Sequence, residues 1–337
     1  MMALFKVAGI TAGSVAIAGF VTQPVLRSLA LKWSGLLAPG GGWRLFAVLL
    51  LLGNLKNLPF VWHFRFFCAF FYHLYFQPTP IPPHSLFQPI VSTTRAPIME
   101  CDYNCHKSNS TYFSDLDISR THLFTAIFGR VIKKNLSWFG KAKSPAGESG
   151  GKMYTALGGV SCFFKREIRP YQKYEMWTRI LCWDRKWIYM VTHLVKPGVA
   201  KPPKYTLQPR KASKSQKEIT EEQRIKLKNA VYCTAISRYV IKRGRITVPS
   251  EEALLEAEML PPKPEGWVYK GDVGSEIVDD VAPASFPESE WNWDVIEAER
   301  RRGLRFAEAF AHQEGLHDLF DGGENGILGK YADITMY

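Results

Sequence analysis

One stretch of this chain limits what it can fold into. Between residues 112 and 131, large and mostly apolar side chains recur at helical spacing: Tyr112 and Phe113, Leu116, Leu123 and Phe124, Ile127 and Phe128, then Val131. Residues three and four apart share one helix face, so the spacing predicts a helix of about 20 residues with a thick apolar stripe. Packing against that stripe, more than propensity, stabilises such a helix, so it must be buried along its length. Ser108 or Asn109 suits its N-cap, and Lys133 and Lys134 suit its C-terminal end.

The flanking segments supply the cover. Residues 86–99 are rich in β-formers, and Pro89 and Pro97 keep them at an edge or end. Residues 156–168, 173–183, 187–195 and 230–242 read as further strands, with Asp184-Arg185-Lys186 as the short turn joining the middle pair. We read the first three of these as an antiparallel meander. Residues 141–152 read as a Gly/Ser-rich loop and 197–228 as a basic surface insertion. The element order defines an α+β chain. Asp115 and Asp117 favour the positive end of the long helix, with Arg120 at pairing distance along it. Residues 297–305 mix both charge signs and read as a solvent-facing helix, packing through Leu304, Ala307, Phe310 and Ala311.

Charge is segregated. The 337 residues carry a formal net charge of +12, yet residues 1–99 hold no Asp or Glu and seven bases, while residues 247–337 hold 20 acids and 7 bases. A basic body suits nucleic acid, an anionic membrane or a phosphate-bearing substrate. Nucleic acid is set aside, because the aromatic residues cluster in the apolar N-terminal region and not among the lysines, leaving no stacking platform.

That N-terminal region looks membrane-directed. Residues 7–22 are mostly small and apolar, but shorter than the roughly 20 residues that cross a bilayer. A second stretch starts at Trp43, runs unbroken from 45 to 52, and is interrupted by Lys56; ten aromatics then fall between 60 and 76. Aromatic rings interspersed with His63, Arg65 and His73 suit the headgroup level. Residues 1–83 read as a membrane anchor or targeting region. A mitochondrial presequence in the acid-free 1–44, a signal-peptide core and soluble packing are the alternatives. An endoplasmic-reticulum-like membrane is favoured over a mitochondrial one. Pro78, Pro80, Pro82 and Pro83 close the region as a stiff spacer.

The six cysteines are scattered and read as free thiols. Cys101, Cys105 and His106 lack zinc-ligand spacing. No phosphate loop, Gly-x-Ser-x-Gly elbow or His-Glu-x-x-His motif occurs. No metal and no cofactor is expected.

Just before the long helix stands Glu100-x-Asp102-x-x-x-His106-x-x-Asn109-x-x-Tyr112. This segment resembles the Asp-x-Asp-x-x-x-His-x-Asn-Asn-x-x-Tyr signature of 4-hydroxybenzoyl-CoA-thioesterase-like hotdog proteins. Glu100 replaces the first Asp, and Lys107-Ser108 replaces a small residue and an Asn. Residues 163–170 and 177–184 resemble the membrane-anchored thioesterase-superfamily-member subgroup and its fungal relatives, which often accompany polyketide or peptide natural-product pathways. Residues 242–249 and 297–304 look like the fungal branch.

The resemblance implies a single hotdog domain over 84–250, a long helix wrapped by an antiparallel sheet. An N-terminal apolar anchor over 1–83 precedes it and an acidic, partly helical extension over 251–337 follows. It implies an acyl-thioester hydrolase acting on acyl-CoA or carrier-bound acyl groups, and a homodimer with active sites at the interface. Asp102 maps onto the catalytic carboxylate, and His106 and Asn109 would polarise the thioester or order the water. The residues themselves allow this chemistry: Asp102 lies just before a helix start, where backbone N–H groups can hold an oxyanion. Tyr112 and Arg179 are the substrate-binding candidates, Arg179 toward CoA phosphates. The plainer readings are a helix-entry cap for Asp102, a turn histidine for His106, an N-cap for Asn109, a core residue for Tyr112 and a solvated hairpin charge for Arg179. The alternative function is a non-catalytic acyl-binding or scaffold protein of the same fold.

Overall fold

The structure is a computed structural model describing residues 38–77, 79–135, 153–202, 204–209, 220–268 and 286–320, with single positions at 24, 25, 28, 32, 35, 271 and 328. The apolar stretch 7–22 and the loop 141–152 lie outside the described residues, as does much of the acidic tail. The chain divides into two units, residues 1–62 with 97–99, and residues 63–96 with 100–337.

In the first unit, helix α1 (Gly41–Gly53) is apolar but for Arg44, and Leu45, Phe46, Val48, Leu49, Leu50, Leu51 and Leu52 are all exposed. Asn54 ends it. Its Nδ2 donates to the Leu50 carbonyl at 2.8 Å, and its Oδ1 accepts from the Met99 backbone N–H at 2.8 Å. Among the described residues no helix is long and apolar enough to cross a membrane.

The second unit takes in most of helix α2 (Val61–Phe71), a π-helical turn (Tyr72–Phe76), strand β1 (Ile90–Arg95) and the long helix α3 (Thr111–Asn135). Strands β2 (Met153–Phe164), β3 (Lys173–Trp183) and β4 (Trp187–Val195) follow, then helix α4 (Glu221–Asn229) and strands β5 (Val231–Arg243) and β6 (Ile246–Val248). Helices α5 (Ser250–Glu256) and α6 (Trp293–Ala311) come next, and a 3-10 helix (His312–Leu319) ends the described fold.

The antiparallel sheet runs β1-β3-β4-β5-β2, with β6 extending along β5. Alternation aims Tyr174, Met176, Thr178 and Ile180 of β3 at α3, whose Leu116, Leu123, Ile127, Phe128 and Val131 are buried. The predicted helix is therefore present and wrapped, and runs to 25 residues. The turn between β3 and β4 forms as expected: Asp184 Oδ1 accepts from the N–H groups of Lys186 and Trp187, and Oδ2 accepts from the Tyr189 hydroxyl.

The expected meander needs correcting. Strand β2 pairs with β5 at the far edge, not with β3. The reason lies in the connection 165–172. Lys165 and Arg166 N–H groups bond the Tyr232 carbonyl, Ile168 is buried, and Tyr171 N–H bonds the Ala96 carbonyl. The chain thus leaves one sheet edge and lands beside β1, which seats β3 next to β1 and closes the sheet around α3. Strand β1 is also shorter than residues 86–99: Pro89 and Pro97 bound it, while Leu86 and Phe87 join the core.

Helix α6 corrects a second expectation. Leu304, Ala307 and Phe310 pack on Leu181, Tyr189, Val191 and Ile236 as read, but Glu297, Glu299 and Arg300 are buried instead of facing solvent. Arg300 forks onto Glu297 and donates to the Trp183 carbonyl at 3.0 Å, so its charge is fully engaged. Gly303 permits this close approach, since a Cβ there would lie 2.5 Å from the Leu181 carbonyl oxygen. Gly303→Ala is expected to lower stability by about 1–2 kcal/mol, because overpacking against backbone outweighs the gain in helix propensity. A lower urea midpoint at unchanged m-value checks it.

Two histidines tie stability to pH. His122 Nδ1 on α3 lies 3.0 Å from His73 Nε2 in the π turn. Burial, then the neighbouring His73 and Arg65, depress the His122 pKa to about 4. Burial, then Arg179, likewise holds His193 at about 4. The unfolded chain binds these protons near pH 6.5, so the stabilisation is complete above that pH and is lost as pH falls from 6.5 toward 4. The melting temperature should fall over that window, and His122→Asn should flatten the fall.

Candidate active site

The segment before α3 is a tight reverse turn. Cys101 and Lys107 form an isolated antiparallel bridge. Asp102 N–H donates to the His106 carbonyl at 2.9 Å, and Cys105 N–H to the Asp102 carbonyl at 3.0 Å. Asp102 Oδ1 accepts from Asn104 N–H at 2.9 Å, an Asx turn, and Cys105 adopts a positive φ of 57° to close the loop. These bonds bring Asp102 Oδ2 to 3.5 Å from His106 Nδ1, with both side chains partly exposed. A carboxylate and an imidazole therefore share one accessible turn.

Beneath that turn lies a buried charge cluster. Lys107 Nζ, wholly buried, donates to Glu100 Oε2 at 2.5 Å, lies 3.1 Å from Asp115 Oδ2, and reaches the Thr111 carbonyl at 3.3 Å. Arg65, on α2, donates to Asp115 Oδ1 at 3.0 Å. The Tyr174 hydroxyl donates to Asp115 Oδ2. Burial and the Asp115 carboxylate push the Tyr174 hydroxyl well above its usual pKa, which keeps it a donor. Further hydrogen bonds complete the joint: backbone Ser108 N–H to the Glu100 carbonyl and Lys107 N–H to the Ile168 carbonyl, and the Thr111 hydroxyl to the Ser108 carbonyl. The turn is thereby fastened to the first turn of α3, where the helix dipole is positive.

The structure thus brings Asp102 and His106 together at the entry to α3. Asn109 is exposed two residues before the helix, and its carbonyl accepts from Tyr112 N–H at 3.4 Å. Tyr112 is a core residue, packed edge-on against Phe164 at 5.0 Å with the Lys107 ammonium over its ring. Burial, then Cys233, Cys162 and Asp102, push its hydroxyl far above the usual range. Arg179 is not brought to this turn. It lies on the face of β3 that α6 covers, near Glu299 and Arg302, and burial lowers its pKa while Glu299 opposes that. A CoA phosphate at Arg179 would have to displace α6 contacts.

Sequence reasoning missed Lys107, Asp115 and Arg65 as a group. Asp115 is three residues after Tyr112, so it falls on the apolar stripe. A charge on a buried stripe calls for buried partners, and that was the available signal. Asp117 alone makes the pairing predicted with Arg120, at 2.5 Å.

A long helix wrapped by a single antiparallel sheet, with a carboxylate turn at the helix entry, defines a hotdog-like α+β protein. The thioesterase-like superfamily model matches residues 96–234, from the end of β1 into β5. Thioesterase poxG of Penicillium oxalicum is 36% identical over 88% of this chain and 93% of its own length. The probable thioesterase atnL of Emericella nidulans is 36% identical over 84% of this chain and 90% of its own. A probable thioesterase of Saccharomyces cerevisiae is 29% identical over 60% of this chain and 75% of its own. The chain belongs to the thioesterase-like superfamily, hydrolases acting on thioester bonds.

Proposed function

We propose that this chain hydrolyses an acyl thioester, acyl-CoA or carrier-bound, with Asp102 as the catalytic carboxylate. The observation that carries the assignment is the Asp102–His106 pair on a turn fastened to the start of the buried helix. Asp102 takes the proton of the attacking water as the oxygen adds to the carbonyl carbon. N–H groups at the start of α3 face the developing oxyanion. The C–S bond then breaks, Asp102 returns its proton to the leaving sulfur, and acid and thiol depart with the carboxylate restored. His106 orients the water or the thioester, and Asn109 is a further polar contact at the entrance. The substrate we favour is a polyketide or peptide intermediate of a fungal secondary-metabolite pathway, in keeping with the fungal relatives. Release of free thiol from acyl-CoA and carrier-bound acyl groups tests the assignment, and chain-length dependence reports the acyl group.

We place the enzyme at a membrane through its N-terminal region, with 84–250 as the thioesterase body and 251–337 as an extension. Support comes from the exposed apolar side chains of α1 and from the absence of acids in residues 1–99. At about 1.5 Å per residue α1 is about 20 Å long, short of the ~30 Å hydrocarbon core, so it favours insertion over crossing by itself. Flotation with phosphatidylserine-containing vesicles, lost in Leu49→Asp/Leu52→Asp, is expected; a full-length chain that stays unbound contradicts the placement.

A homodimer is also part of the proposal. Strand β2 is a 12-residue edge strand exposing Leu157, Phe163 and Phe164. Long apolar edges are templates for pairing with another chain. Light scattering should give twice the chain mass of 38.3 kDa; a monomer at assay concentration contradicts it.

A further inference from the structure

Arg65 lies outside the segment 96–234 that matches the family model, on a helix that precedes the sheet. Its guanidinium nevertheless reaches the buried carboxylate of Asp115 on α3. From Asp115 the contacts pass to Lys107 and then to Glu100, and these last two residues bracket the Asp102–His106 turn on either side. Asp115 is thus gripped on Oδ1 by Arg65, and on Oδ2 by Lys107 and the Tyr174 hydroxyl. The helix carrying Arg65 exposes Phe64 and Phe67 elsewhere on its surface.

We propose that Arg65 is a positioning residue for thioester hydrolysis: by holding Asp115, it sets where Lys107 and Glu100 fasten the Asp102–His106 turn against the start of α3. The inference rests on Asp102 being the catalytic carboxylate. The physical reason is the low dielectric of the cluster. Charged hydrogen bonds there are strong and their geometry is coupled, so loosening one member shifts the others. A shift of about 1 Å at a reacting group can cost on the order of 100-fold in rate. Arg65 itself touches neither substrate nor reacting atom.

The test compares Arg65→Met, Arg65→Lys, Tyr174→Phe and Asp102→Asn in the full-length chain. Active sites are counted by titration with a non-hydrolysable thioether analogue of an acyl-CoA that the wild type cleaves. For Arg65→Met, kcat per titrated site should fall about 10- to 100-fold while affinity for the analogue stays within about twofold of the wild type. Arg65→Lys should recover most of the rate, because it restores a cation to Asp115. Tyr174→Phe removes another donor from the same carboxylate at nearly constant shape, and should lower kcat several-fold; it carries the test should Arg65→Met not fold. Wild-type kcat per site in Arg65→Met, or in Tyr174→Phe where the former does not fold, overturns the inference while leaving the Asp102 assignment intact. Full turnover in Asp102→Asn instead overturns the catalytic assignment on which the inference stands.

Discussion

Lys107→Met should destabilise the fold by about 3–5 kcal/mol, the range seen when one partner of a buried ion pair is removed. Methionine nearly matches lysine in length, so little cavity forms and the loss is electrostatic. Glu100 and Asp115, both buried, lose the ammonium that lies between them. Part of the pair's worth was already offset by the desolvation of all three groups, which is why Lys107→Met is a cost of breaking the network and not the network's net contribution. Guanidinium unfolding measures it. Adding Glu100→Gln should recover part of the loss, since it removes one carboxylate charge, and the double-mutant cycle gives the coupling. Additive effects would mean that the two side chains do not interact.

Asp102→Asn should lower kcat by about 10²- to 10⁴-fold, the range for a general base, with stability changed by no more than about 0.5 kcal/mol. The separation of the two effects follows from the contacts. Asp102 Oδ1 serves the turn by accepting from Asn104 N–H, and an asparagine carbonyl oxygen accepts the same bond. The side chain is partly exposed, so the lost charge needs no buried compensation. An amide, however, can neither take a proton from water nor attack a carbonyl. Thiol release per folded protein gives the rate, and circular dichroism confirms the fold. An unchanged rate removes Asp102 as the catalyst.

Much of the sheet was legible because its signals are local. The alternation in β3 and β4 and the Asp184 turn between them depend on a dozen neighbouring residues, and both strands run 173–183 and 187–195 as read. The pairing of β2 with β5 was not legible, because it joins segments from Phe164↔Cys233 out to Met153↔Arg243, far apart in the chain, and alternation alone does not name a partner. In the sequence Asp115 reads as a charge favouring the helix N-terminus, an explanation available to any early helical acid; its position on the apolar stripe is the discriminating feature. Arg65 suits the headgroup level by sequence, since composition does not distinguish a snorkelling arginine from one that turns inward to a carboxylate fifty residues on. Glu297 and Arg300 look like a solvent-facing i,i+3 pair in either setting, and only Gly303, three residues further on, hinted at close packing.

At the site, the grouping of Asp102 and His106 was legible because both stand in one short motif, and the turn that joins them is local. Charge alone is what makes Arg179 a candidate for CoA phosphates. Its strand parity, opposite to the inward Thr178 and Ile180, sends it to the face under α6.

Thioester cleavage by water added at the Asp102 turn can be followed by mass spectrometry of products from a panel of acyl-CoAs and carrier-bound acyl thioesters incubated in ¹⁸O-labelled water. Free thiol and an acid carrying ¹⁸O in the new carboxyl group are expected for at least one panel member with the wild type, with a drop to background in Asp102→Asn. Intact thioester across the whole panel, with the acyl-CoA analogue still bound, would contradict this cleavage and make the chain an acyl-binding protein on a thioesterase fold.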